Sequence, residues 1–75
     1  MTDLTQMKNG QRGRIVWMIG KLGEQLRKFC GIQEDDILMV LRHMPDGSAI
    51  VRCNGKRYAM DADTAFKIKV NRLSA

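Results

Sequence analysis

Proline occurs once in this chain of 75 residues, at Pro45, and cysteine twice, at Cys30 and Cys53. Two cysteines are too few for the cystine framework that holds many small secreted domains together. In a reducing compartment both are expected to remain thiols, small and buried. No apolar run approaches the roughly 18 residues that a membrane span requires. The opening Met1-Thr-Asp-Leu-Thr-Gln-Met-Lys8 has neither the basic stretch nor the apolar core of a secretory signal, so the expected location is the cytoplasm. Length sets a further limit, because a chain this short has no room for a cofactor domain beside a substrate domain. Residues 1–75 are expected to form a single small domain.

Catalytic groups are equally sparse. His43 is the sole histidine, and no Ser, Cys or Asp motif sets a nucleophile beside a base, so an enzyme is not expected. Gly20-Lys21 has the look of the end of a phosphate-binding loop. That loop, however, needs glycine at position 15 and Ser or Thr at position 22, where this chain has Ile15 and Leu22. Cys30, His43 and Cys53 lie far outside the spacing of paired zinc ligands, roughly two to four residues. Met18, Met39 and Met60 fall at expected core positions, where methionine is an adaptable filler. Neither a cofactor nor a metal site is expected.

What the chain does contain is an ordinary globular balance, 44% apolar and 28% charged residues, well away from the composition of disordered chains. Stability must come from packing alone, which favours a closed, compact barrel. Charge falls in blocks: +4 over residues 1–30, −3 over 31–48 and +4 over 49–75, for a total of +5. Two basic segments therefore flank an acidic bend, and the folded surface is expected to be polarised.

The lead-in to Gly13 is irregular, with a turn at Asn9-Gly10. From Arg14 to Ile19 a strand places Ile15, Trp17 and Ile19 on one face and Val16 and Met18 on the other, so both faces are expected to be buried. Residues 21–31 form a helix, with Leu22, Leu26 and Phe29 at i, i+4 and i+7 and Cys30 on the same stripe. Gly31 supplies a left-handed stop that lets Ile32 fold back on Leu26. Ile37–Leu41 reads as a buried strand and Pro45-Asp-Gly47 as a turn. Asn54-Gly55 is the strongest hairpin signal; with these two in the loop, Cys53 pairs with Lys56, Arg52 with Arg57, Val51 with Tyr58 and Ala49 with Met60. Asp61 or Asp63 caps a short turn of helix, and a last strand alternates Phe66, Ile68 and Val70 against Lys67, Lys69 and Asn71. The fold class is therefore mainly β. We expect a small SH3-like barrel of about five antiparallel strands, one inserted α-helix over about 21–31 and a helical turn over about 61–65.

Two surfaces stand out for binding. Arg52, Lys56 and Arg57 cluster at the hairpin tip, with Arg12 and Arg14 on the first strand and Lys67, Lys69 and Arg72 on the last, the electrostatic footprint of a small RNA-binding barrel. All four aromatic residues, Trp17, Phe29, Tyr58 and Phe66, fall on apolar faces, so no base-stacking platform is expected and nucleic acid is the second reading. The helix is the other surface, because a barrel this small cannot cover all of it and leaves an apolar edge for a partner.

Laid out in order, these signals resemble the FeoA family, the small ferrous iron transport protein A of bacterial iron uptake. The resemblance runs from Leu4 and Gly10-Gln-Arg-Gly-Arg-Ile15 through Cys30-Gly31-Ile32 and Pro45-Asp-Gly47 to Ala65-Phe-Lys-Ile-Lys-Val70. It departs at Met60-Asp61, where the family usually has Leu-Arg, and at Glu34-Asp35, where it often has Pro-Gly. The resemblance implies an SH3-like barrel with a non-enzymatic accessory role, acting on the cytosolic GTP-binding part of a membrane Fe(II) permease. Carried over by position, Leu22, Gln25, Leu26, Phe29 and Gly31 are the expected partner contacts. The protein itself is expected not to insert in the membrane but to be recruited to its inner face, with weak self-association at most.

Overall fold

The structure is a computed structural model that describes residues 1–74. Six strands form one antiparallel sheet: β1 (Thr2–Asp3), β2 (Arg12–Met18), β3 (Ile37–His43), β4 (Ala49–Cys53), β5 (Lys56–Met60) and β6 (Ile68–Arg72). Their order across the sheet is β1-β6-β2-β3-β4-β5, so the chain's two ends meet beside β2. Helix α1 (Leu22–Cys30) joins β2 to β3, and helix α2 (Ala62–Lys67) joins β5 to β6. The fold is SH3-like, mainly β, as the alternation of short apolar runs and tight turns requires.

Strand alternation builds the core. Ile15, Leu38, Val40, Val51, Ile68 and Val70 point inward and are fully buried, joined by Leu4 from the short 3₁₀ turn Leu4–Gln6 and by Ile32 after α1. Met18 and Met60 are buried as the sequence indicates, whereas Met39 is only half-buried, on the outer side of β3.

The β4–β5 hairpin has the register read from the sequence: Cys53 opposite Lys56, Arg52 opposite Arg57, Val51 opposite Tyr58 and Ala49 opposite Met60. Asn54 and Gly55 take φ values of 53° and 79°, the pair of left-handed conformations that a two-residue loop needs to match strand twist. At the preceding turn, Gly47 N–H donates to the Met44 carbonyl at 3.0 Å. Asp46 accepts both the backbone N–H of Ser48 at 2.9 Å and its hydroxyl at 2.6 Å. These two bonds, the hydroxyl's first, hold the Asp46 carboxyl below its ordinary pKa.

Three expectations are corrected. The sheet has six strands, because the N-terminal Thr2–Asp3 pairs with Val70 and Lys69 of β6. Strand β2 is not buried on both faces: a bulge between Ile15 and Trp17 resets the alternation, so that Ile15 and Met18 both face inward while Val16 and Trp17 are exposed. The last strand starts only at Ile68, since the Asp61 carboxylate accepts the Thr64 N–H at 2.7 Å and caps a helix that runs on through Lys67. Phe66 is thereby placed on a helix and exposed, and Lys67 pairs with Asp63 at 2.9 Å instead of sharing a strand face with Lys69.

Candidate docking site on helix α1

Helix α1 lies on the outside of the barrel, and none of its residues is fully buried. Leu22, Leu26 and Cys30 pack partly against the core. Each four-residue step turns the helix by about 40°, so this i, i+4, i+8 series drifts toward Gly23 and carries the packed edge away from Phe29. Phe29 accordingly stands 77% exposed, its ring 5.6 Å from the Lys28 ammonium, and Gln25 is exposed beside it. Of the five expected contacts, then, Gln25, Phe29 and Gly31 are open to a partner, and Leu22 and Leu26 chiefly hold the helix to the barrel.

The exit of the helix is fixed by backbone geometry. At the exit Gly31 adopts φ 73°; its N–H reaches the Arg27 carbonyl at 3.1 Å and the Ile32 N–H reaches that of Leu26 at 3.2 Å. Ile32 is thereby turned into the core, completely buried. Tyr58 donates its hydroxyl to the Cys30 carbonyl at 3.2 Å, and Asn54 Nδ2 lies 3.4 Å from that of Gly31, so the β4–β5 hairpin braces the exit. At the start, Lys21 gives no side-chain cap.

Beside the helix runs an open groove of about 520 Å³, lined by Trp17, Met18, Gly23, Glu24, Arg27 and Glu34 among others. Sequence alternation missed Trp17 here because the bulge is invisible to a period of two. The expectation that all the aromatics sit on apolar faces is corrected likewise: Trp17, Phe29 and Phe66 are exposed, and Lys69 Nζ lies 3.9 Å from the Phe66 ring centroid.

The other singled-out residues are not assembled into chemistry. His43 Nε2 contacts the Met7 carbonyl and its backbone N–H donates to Asn9 Oδ1 at 3.0 Å, an arrangement that pins the N-terminal lead-in. Cys53 is buried, and burial first, then the negative charge of Asp36, pushes its thiol pKa up. Cys30, half-buried, is also a free thiol. Among the described residues no three His, Cys, Asp or Glu side chains converge as a metal site. Arg52, Lys56 and Arg57 do lie together, exposed on β4 and β5.

The FeoA domain model matches residues 2–72. Among solved structures, the iron uptake regulatory protein FeoA is 26% identical over 96% of this chain and 97% of its own, with a TM-score of 0.84. The FeoA protein of Chlorobium tepidum is 26% identical over 97% of this chain and 71% of its own, with a TM-score of 0.81. FeoA of Stenotrophomonas maltophilia, solved with zinc and described as an SH3 domain protein and candidate activating factor of ferrous iron transport, shares the fold at 15% identity, 95% and 91% coverage and a TM-score of 0.74. No curated protein matches the chain. A family match over nearly the whole length, together with the six-stranded SH3-like sheet and its external helix, makes this chain a member of the FeoA family.

Proposed function

We propose that this protein is a non-enzymatic accessory factor of ferrous iron uptake that binds the cytosolic GTP-binding part of an Fe(II) permease through helix α1. The observation that carries the reading is Phe29, a large apolar side chain held 77% exposed beside the edge of the helix that packs on the barrel. An aromatic in that position loses water-exposed area only when something covers it, and such residues dominate the energetics of interfaces. Gln25 and Gly31 flank it with polar side-chain and backbone groups. The protein works in the cytoplasm, brought to the inner face of the membrane by its partner, as one small domain of residues 1–75. No helix is long and apolar enough to cross a bilayer.

Calorimetric titration of the chain into the permease's cytosolic domain tests the reading. Phe29→Asp is expected to weaken binding at least about tenfold, the effect of losing a modest hot spot, with an unchanged circular-dichroism spectrum. Leu26→Asp also weakens binding but by loosening the helix, so it is the less informative variant. A folded Phe29→Asp protein with wild-type affinity sinks the proposal, as does a wild-type chain that does not bind.

A further inference from the structure

The outer face of the sheet carries a second surface. Cross-strand partners share a face, so the registers of β2 to β5 define three outer rows. The first joins Arg14 to Ile37; the second runs Arg12, Met39, Arg52, Arg57; the third runs Arg42, Ile50, Ala59. Five arginines, four apolar side chains and no carboxylate make up these rows. All five arginines are exposed. The ion pairs among the described residues, Lys67–Asp63 and Lys69–Asp3, involve none of them. Arg14 alone is engaged, its Nη1 lying 3.3 Å from the Asp35 carbonyl.

Between Arg12 and Arg52 lies a shallow depression of about 210 Å³, formed with Ile37, Met39 and Asn54. Arg52 directly opposite Arg57 is a like-charge pair that the fold would do better without. Guanidinium groups bind phosphate in a bidentate fork, and interleaved Ile and Met side chains suit the boundary between lipid headgroups and acyl chains. Neither the Arg12 row nor its neighbours contain an aromatic residue, so bases would find no stacking partner here; Trp17 lies further along β2, beyond the bulge.

We propose that this arginine face rests peripherally on the anionic lipid headgroups of the membrane, holding the protein flat beside its partner. The proposal rests on the permease reading above, yet uses a different face of the molecule. Because Phe29 is not in the arginine rows, the two are separable by mutation.

Cosedimentation of the full chain with vesicles tests it, comparing phosphatidylcholine mixed with phosphatidylglycerol against phosphatidylcholine alone. The wild type is expected to bind the anionic vesicles and to be released as salt is raised. Each basic residue near such a surface contributes about fivefold, so Arg12→Gln, Arg52→Gln and Arg57→Gln together should lower partitioning about a hundredfold. The same triple variant should keep its affinity for the permease domain, and Phe29→Asp should keep its affinity for vesicles. The inference is overturned if the wild type ignores anionic vesicles, binds neutral ones equally, or binds as well without the three arginines. Tighter binding to a single-stranded RNA oligonucleotide, lost in the same variant, overturns it in favour of a nucleic-acid partner. Failure of the wild type to bind the permease domain removes the earlier reading and leaves the vesicle comparison interpretable by itself.

Discussion

The two cysteines show how far burial alone can differentiate identical side chains. Cys53 sits in the core against the β3 backbone, its Sγ 3.5 Å from the Ile37 carbonyl, and burial raises its pKa. Cys30 lies on the half-covered edge of α1. The thiolate is the reactive form, so both factors slow Cys53. At pH 8 in the native protein, an aromatic disulfide reagent is expected to modify one thiol quickly, and the second only as the chain unfolds. Cys30→Ser should abolish the fast phase; a fast phase that survives this substitution would contradict the assignment. The raised pKa also has a stability sign. Its contribution is fully present below the unfolded thiol's ordinary value and is lost as pH rises through the elevated folded one, so Cys53→Ala should flatten the alkaline fall in stability relative to wild type.

At the scale of elements, the hairpin and the bulge mark what the chain makes legible and what it conceals. Asn54-Gly55 demands left-handed backbone at both positions, and that local requirement propagates a register along β4 and β5 that could be read residue by residue. The helix stop at Gly31 is similarly local. The bulge in β2 has no such signature: Ile15-Val-Trp-Met18 is apolar throughout, so no break in alternation marks it, and only pairing with β6 shows Val16 out of step. Trp17 consequently moves from the expected core to the surface, where it lines the groove beside the helix, a place that periodicity had not assigned to it. Phe29 stays on the uncovered edge of the helical stripe, which is wider than the barrel that receives it. The hairpin offers a direct measurement of what the arginine face costs the fold. Arg57→Glu replaces a like-charge cross-strand pair with an attractive one and is expected to stabilise the protein by about 0.2–1 kcal/mol, raising the melting temperature by up to several degrees, while weakening anionic vesicle binding. A variant that is less stable than wild type would mean that Arg57 already has a favourable partner in solution.

For the molecule as a whole, the deciding question is what holds so few residues together. Small domains commonly lean on cystines or a structural metal. Here both thiols are free, and no cluster of ligating side chains forms among the described residues. The core instead draws on every strand from β2 to β6, with Leu4 and Met7 closing one side, Ile32 turned in after the helix, and no buried side-chain polar atom left unpartnered among the described residues. A fold built in this way should unfold in a single cooperative transition whose midpoint is the same with or without reductant and with or without chelator, because neither reagent has a native bond to remove. Thermal melts of one preparation, divided between EDTA, dithiothreitol and plain buffer, make the comparison. A fall of several degrees in EDTA would show that a bound metal contributes folding free energy. Invariance of the midpoint is therefore the result on which the packing account depends.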